Sequence, residues 1–493
     1  MSASPSPVRD PRFAELDPTL SLLRPGDAGY SAYTSDVVLD GRPDAVLRPR
    51  TESEVIQVLE SACRHRIPVT PAGGHTSLTG SSVALDGWLL DTQRFNKLLD
   101  IGRDPDTGHM VAIAEPGLFL GDLQREVEQQ DWFYPPDPTS RNEACLGATV
   151  ATNATGEDTL FYGPTRRWVR ELTVIRADGT RRVLRRSALS HPREEKATAG
   201  YYMNGEEIDL LIGSEGTLGV ITRVTVDLIP RPAGVSAGMA FFASRRAALE
   251  FVVQARQDPH LVPRALELID RASWELLEGR TLGIVWPEEA EAAIVFKQEW
   301  ESASDREARL LAWSALIERQ AGSHSAVAEA TLFFEGPVDL ERLRAVRHLV
   351  PSTLNERLLP YREQGGAKVA TDWWVPYSRL PVFLDRWDRA TTEAGIPTFM
   401  FGHVGNGHPH VNFLCRNAAE TERAQTMVLA MCQEAVQAGG GVAGEHGLGK
   451  LKRHLLAVQC DDETITRMRQ VKRTWDPLGI LGKGNVFPEE EGV

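Results

Sequence analysis

Cysteine is scarce and scattered in this chain: five among 493 residues, at Cys63, Cys145, Cys415, Cys432 and Cys460, with no CxxC pair. An odd, dispersed set argues against a disulfide framework and against an iron–sulfur cluster held by this chain alone. Long apolar runs are missing as well. No stretch approaches the roughly eighteen residues of a membrane span, and the opening MSASPSPVRDPRF lacks the apolar core of a secretion signal. The cytoplasm is therefore the expected location. Positive charge is in deficit: 54 Lys and Arg stand against 68 Asp and Glu, a net −14. A nucleic-acid partner would want a basic face, so that class is set aside. Internal repeats and low-complexity tracts are also absent.

What is present is the mix of a soluble globular enzyme, 42% hydrophobic and 25% charged. The chain is too long for one ordinary core, so two or three lobes are expected. Residues 1–37 begin as a Pro/Ser/Asp-rich segment. Thr51 followed by Glu54 is a capping-box signature, and Val55, Val58, Leu59 and Ala62 predict the buried face of a helix over Thr51–Arg66. Strands are expected at Ile67–Thr70, Trp88–Asp91 and Met110–Ala114, and a helix at Gly121–Gln130. Asp178-Gly179 predicts a hairpin with a two-residue turn after Leu172–Arg176. Composition shifts after IPRPA (Ile229–Ala233), beyond which helices alternate with strands such as Gly238–Phe242, Thr331–Glu335, Thr398–Phe401 and Val411–Leu414. An α+β lobe with an antiparallel sheet fits that order.

Three small-residue segments carry one kind of chemistry. PAGGHTSLTG (Pro71–Gly80), GATVATNATG (Gly147–Gly156) and GSEGTLGVIT (Gly213–Thr222) read as loops that lay backbone amides against a cofactor phosphate. Each alone would pass as an ordinary connection or tight packing. In GSEGTLG, three glycines bracket Glu215 just before a β-branched strand, which a plain turn does not need. Gly439–Gly444 formally satisfies GxGxxG but follows a predicted helix, the wrong context for a dinucleotide site.

A second constellation lies downstream. FGHVGNGHPHVN (Phe401–Asn412) holds His403, His408 and His410, and GEHGLG (Gly444–Gly449) adds Glu445 and His446. A lone histidine would more often be structural. His403, His410 and Glu445 together supply two nitrogens and one oxygen, suited to Zn²⁺, Mn²⁺ or Fe²⁺ with vacant positions. Arg347 and Lys368 are solvated cations on the bland reading and carboxylate partners on the functional one.

PAGGHTSLTG, PPDPTS, GATVATN, GSEGTLGVIT, GHVGNGHPHVN and GEHGLGK, in this order and spacing, resemble the FAD-binding type 4 flavoproteins of the vanillyl-alcohol oxidase superfamily. Within it the likeness is to the D-2-hydroxyacid dehydrogenases: D-lactate dehydrogenase, the glycolate oxidase flavin subunit and D-2-hydroxyglutarate dehydrogenase. It runs from about residue 38 to 488. The resemblance implies an α+β chain with a bipartite PCMH-type FAD-binding domain over 38–231. A substrate (cap) domain with an antiparallel sheet and the metal site would span 232–450, and a C-terminal segment, 451–493, would return Asn485 to the flavin. Gly73, Gly74, His75, Thr76 and Ser77 would cradle the pyrophosphate. Thr139, Gly147, Ala148, Thr152 and Asn153, with Glu215, Gly219 and Ile221, would line the rest of the cofactor. His403, His410 and Glu445 match metal ligands, His446 the base, and Arg347 and Lys368 substrate-carboxylate positions. FAD and a divalent ion, Zn²⁺ or Mn²⁺, are the implied cofactors.

Three departures stand out. His75 occupies a position usually held by a small residue and coincides with the histidine that binds flavin covalently in berberine-bridge-type relatives. Pro351 falls where some relatives have a substrate-contacting threonine, and His408 where asparagine is common. The expected reaction chelates a 2-hydroxy acid through its carboxylate and hydroxyl, with Arg347 on the carboxylate. His446 then removes the hydroxyl proton, and a hydride goes from Cα to flavin N5. A quinone, cytochrome, electron-transfer flavoprotein or oxygen would reoxidise the flavin. The resemblance leaves room for a homodimer and for peripheral contact with the inner membrane. Competing readings are a flavin-dependent polyol or aldonolactone oxidase, an ether-lipid synthase of the same superfamily, and a metal-dependent hydrolase or metal-binding regulatory protein without flavin.

Overall fold

The computed structural model describes residues 11–36, 38–187, 196, 198–321 and 325–488. Its first sheet has four strands in the order Ser21–Leu23, Ala45–Arg48, Trp88–Asp91 and Val69–Ala72. The last three run parallel, and the helix Glu52–His65 makes the crossover that parallel strands require. Thr51 caps that helix by accepting the Glu54 amide at 3.2 Å. Glu54 reaches back to the amide of Arg50, not of Thr51, at 2.6 Å. Val55, Val58, Leu59 and Ala62 are fully buried against the sheet, as their spacing predicts. Each such Val or Leu contributes about 1.5–3 kcal/mol. The strand expected at Ile67–Thr70 lies at Val69–Ala72, two residues into the presumed loop.

A second sheet is antiparallel, in the order Leu98–Arg103, Met110–Ala114, Val220–Asp227, Val169–Ile175 and Arg181–Arg185. The hairpin after Ile175 turns through three residues, Ala177–Gly179, and not two. Arg176 and Thr180 close it, with Gly179 at φ 83° in the left-handed position such turns use. Inside this sheet Arg170 forks onto Asp227, Nε to Oδ1 at 3.1 Å and Nη2 to Oδ2 at 2.6 Å. The segment GATVATNATG corrects the loop reading: Leu146–Thr152 is helical. Thr149 and Thr152 turn their hydroxyls onto the carbonyls of Leu146 and Ala148, so both side chains are satisfied within the helix.

Between Asp227 and Gly234 the chain passes to a seven-stranded antiparallel sheet, ordered Leu332–Glu335, Gly234–Phe242, Ala292–Trp300, Pro263–Asp270, Thr398–His403, His408–Leu414 and Lys368–Ala370. Both of its faces are covered. Ala240, Phe242, Leu268 and Phe296 meet the helices Arg245–Gln257 and Ala303–Ala321, where Trp313 stacks on Phe296 at 4.1 Å. Met239, Phe241, Ile269 and Val295 meet the helix Gly336–Leu358, which carries Arg347. The chain then returns to its beginning: after the helix Asp462–Trp475, Leu481 bridges to Val69. Among the described residues no helix is long and apolar enough to cross a membrane.

Candidate active site

Two strands place the imidazoles. Thr398–His403 and His408–Leu414 pair with His403 opposite His408 and Phe401 opposite His410, so His403, His408 and His410 share one face of the sheet. The strands reach further into the motif than expected because Val404–Asn406 makes a tight turn closed by Gly407. Gly407 sits at φ 71°, and a Cβ there would lie 1.8 Å from the carbonyl oxygen of Val375.

Opposite this face stands Glu445. Its Oε2 is 3.0 Å from His403 Nε2 and 3.8 Å from His410 Nε2, yet it makes no hydrogen bond among the described residues. One donor atom from each of His403, His410 and Glu445 falls within 4.8 Å of the others. A buried imidazole and a half-buried one, facing a carboxylate oxygen that is buried without a hydrogen bond among the described residues, form a set that could hold a divalent ion. Burial would raise the Glu445 carboxyl, but His403 beside it holds it well below the usual carboxylate range. Burial and the neighbouring His408 push His410 well below the usual imidazole range.

Two carboxylates not singled out in the sequence organise these groups. Glu267, in the buried strand Pro263–Asp270, takes His403 Nδ1 at 2.7 Å and Arg347 Nε at 2.6 Å. Asp372 is 3.1 Å from His408 Nε2, 3.2 Å from His446 Nδ1 and 3.2 Å from Lys452 Nζ. It also accepts the backbone amides of Glu445 and His446 at 3.2 Å each. Burial opposes that charge, but Lys452, His446 and His408 keep the Asp372 carboxyl well below its ordinary value. The available signal was one acidic residue inside an apolar stretch, in ALELI for Glu267 and VATDWWV for Asp372. The cations are more committed than expected. Arg347 is buried and gives Nε and Nη2 to Glu267, and Lys368 Nζ donates to Asn355 Oδ1 at 2.6 Å.

The small-residue segments converge on the same place. A cavity of about 520 Å³ has walls from Gly73, Thr76 and Ser77, from Thr139, Gly147, Ala148 and Thr152, and from Gly219 and Ile221. His75 also lines it, at φ 55°, and its Nε2 is buried without a hydrogen-bond partner among the described residues, an open donor or acceptor at the wall. Glu215, at φ 53°, ties two motifs together by accepting the amides of Leu448 at 2.8 Å and Gly449 at 2.7 Å. Three residues expected to touch the cofactor do not line the cavity. Gly74 packs against the Glu143 carbonyl, where a Cβ would approach to 1.8 Å. Asn153 is fully buried, closes the Leu146–Thr152 helix in the left-handed conformation and accepts the Arg166 amide at 2.9 Å. Asn485 braces the wall from behind, donating to the carbonyls of Ser81 and Glu215 at 2.9 Å each.

Continuous with these walls, the same cavity is lined by Arg347, Lys368, His410, Glu445 and His446. His403 stands behind it, 2% exposed. His446 stacks on His410 and turns Nδ1 to Asp372, which leaves Nε2 as its open nitrogen.

Comparison with known proteins agrees with this arrangement. Residues 43–185 match the FAD binding domain model and residues 231–486 the model of the FAD linked oxidases, C-terminal domain. The chain is 28% identical over 474 residues to the glycolate oxidase subunit GlcD of Bacillus subtilis, covering 94% of this chain and 93% of that one. It is 28% identical over 487 residues to a D-lactate dehydrogenase of Anaerostipes hadrus, with 96% of each chain covered. The fold superposes on p-cresol methylhydroxylase with a TM-score of 0.66 at 14% identity, over 94% of this chain and 93% of that one. It is thus a PCMH-type α+β fold that joins mixed helices to antiparallel sheets. The second match alone spans more than half of the sequence, and the chain belongs to the FAD-linked oxidases, a family of flavin-dependent oxidoreductases.

Proposed function

We propose that the chain oxidises a D-2-hydroxy acid, of the D-lactate, glycolate or D-2-hydroxyglutarate kind, to the 2-oxo acid. The observation that carries this reading is the single cavity whose wall runs from the small-residue loops to His410, Glu445 and His446. An alcohol held there lies beside an imidazole and a cofactor at once. Similarity to proteins named glycolate oxidase subunit and D-lactate dehydrogenase supports the substrate class.

In this reading FAD occupies the loop end of the cavity, and His403, His410 and Glu445 hold a divalent ion, Zn²⁺ or Mn²⁺. When bound, FAD accepts the hydride that leaves Cα, and the ion lowers the pKa of a hydroxyl that it coordinates. The chain's residues do the rest. His446 Nε2 takes the hydroxyl proton, while Asp372 on Nδ1 fixes the tautomer and steadies the imidazolium. Arg347 and Lys368 supply positive charge for the substrate carboxylate. Glu267 holds Nε and Nη2 of Arg347, so the guanidinium meets a carboxylate in one fixed orientation. Glu215 ties Leu448 and Gly449 to the cofactor loops, and Asn485 holds the C-terminal segment against the carbonyls of Ser81 and Glu215. An FAD-binding unit at 38–231, a cap at 232–450 and a closing segment at 451–493 are the functional division we propose. The electron acceptor would be of the quinone, cytochrome or electron-transfer flavoprotein class.

Anaerobic mixing of the flavin-loaded protein with D- and L-2-hydroxy acids, polyols and aldonolactones tests the assignment. Bleaching of the flavin by D-2-hydroxy acids alone is expected. Bleaching by polyols or lactones with hydroxy acids inert would replace it with the polyol-oxidase reading.

A further inference from the structure

A second cluster of charges bridges the seam between the cofactor loops and the seven-stranded sheet. Its acids follow the loops: Asp137 stands two residues before Thr139 and Glu157 two after Thr155, both of which line the cavity. Its cations belong to the other side. Arg264 and Lys297 lie on the strands Pro263–Asp270 and Ala292–Trp300, and Arg344 and Arg347 on the helix Gly336–Leu358. Lys297 Nζ meets Glu157 Oε2 and stands 3.8 Å from Asp158 Oδ1. Arg344 Nη2 reaches Asp137 Oδ1 at 3.3 Å, and Arg264 binds Asp158 with one nitrogen and Glu299 with another at 2.8 Å. Glu299 returns across the seam by accepting the Tyr162 hydroxyl.

None of these charged side chains is more than 15% exposed, so salt screens them little. An apolar seam of equal area would also bind the two sides, but apolar contact is not directional. Buried ion pairs fix one arrangement, because any slip leaves both desolvated charges without a partner. Arg347 is held from both sides. Glu267, on its own side, takes Nε at 2.6 Å, and Glu157 lies 3.9 Å from the same atom. Burial opposes the Glu157 charge, but Lys297 and Arg347 hold its carboxyl well below the usual carboxylate range. The cofactor side thus sets one carboxylate against the guanidinium that faces the cavity.

We propose that Glu157 is a positioning residue for the oxidation: through Lys297 and Arg347 it fixes the side that carries the hydroxy acid in register with the loops that carry the flavin. This rests on the proposed function. There Arg347, His410 and His446 address the acid, whereas the small-residue segments hold the hydride acceptor. No single element sets the distance between the two, and the ion pairs across the seam do.

Glu157→Gln keeps the shape and removes the charge. In the flavin-loaded variant the limiting rate of anaerobic bleaching by a D-2-hydroxy acid should fall at least about tenfold per bound flavin, since misplacement by about 1 Å costs about 10²-fold. The half-saturating acid concentration, which Arg347 still sets through Glu267, should stay within about threefold. Amide hydrogen exchange, read without turnover, should quicken at least about threefold in 155–162 and Ala292–Trp300 and stay native in Val69–Ala72. Lys297→Met should reproduce these effects, and the paired variant should be no slower than either single, because all three cut one link. Native-rate bleaching or native exchange at the seam in folded Glu157→Gln overturns the proposal. If that variant does not fold, the paired variant, which leaves neither charge of the pair stranded, decides by the same readings. A native chain that no 2-hydroxy acid bleaches overturns this inference together with the proposed function, whereas a native-rate variant overturns this inference alone.

Discussion

His403 Nδ1 donates to Glu267 Oε1 across 2.7 Å, which leaves Nε2 free to face Glu445. The other oxygen of the same carboxylate takes Arg347 Nε at 2.6 Å. One buried side chain therefore sets both the tautomer of a donor to the ion and the orientation of a guanidinium at the cavity wall.

Glu267→Gln tests that coupling. An amide cannot satisfy the arginine fork and the imidazole N–H as a carboxylate does, so both partners lose their anchor. Metal affinity should fall about 10–100-fold, with KM for the acid raised and flavin content unchanged. Chelator competition and steady-state kinetics measure both quantities, and native values of the two would show Glu267 to be a packing residue.

His446→Ala removes the nitrogen that faces the cavity and leaves the cofactor loops untouched. Turnover should fall by about 10²–10⁴-fold, the range for loss of a general base. Flavin absorbance and zinc content should stay at native levels. Retained turnover would assign the proton to another group.

Glu215 gives a pH signature. Burial raises its carboxyl from 4.5 to about 7, against the amides of Leu448 and Gly449, which favour the charged form. With the folded value above the unfolded one, the native state holds the proton more tightly. The stability this supplies is complete below pH about 4.5 and is lost as pH rises through about 7. Its size is on the order of 3 kcal/mol. Glu215→Gln stays neutral, so urea unfolding of the flavin-free protein should decline less steeply over that window than in the native chain. Parallel curves for the two would contradict the assignment.

Gly74→Ala separates a cradle from a ligand. The added Cβ would meet the Glu143 carbonyl oxygen at 1.8 Å, so the loop must shift. A destabilisation of about 1–3 kcal/mol is expected, the usual cost of overpacking. Bound flavin should fall while zinc uptake persists. Full flavin occupancy in the variant would show that the loop tolerates displacement.

The legible parts of the chain were those whose signals are local. Thr51, Glu54 and the buried Val55, Val58, Leu59 and Ala62 lie within one helix, and the three histidines and Glu445-His446 sit in compact motifs. Glu267 and Asp372 were not legible. Glu267 meets His403 across 136 positions and Asp372 meets the His446 amide across 74, so no local pattern marks either. The seven-stranded sheet was partly hidden because both of its faces are buried, which erases the alternation that marks a half-exposed strand. Asn153 was placed at the cofactor by the family resemblance alone; its left-handed conformation and its bond to the Arg166 amide are tertiary features that no local pattern announces.

The account stands most directly on one comparison: the rate at which D-lactate bleaches the flavin, measured anaerobically before and after the divalent ion is stripped by a chelator. With FAD retained throughout, we expect the stripped enzyme to bleach at least about 10²-fold more slowly and to recover when Zn²⁺ or Mn²⁺ is restored. Bleaching at an undiminished rate after stripping would contradict it.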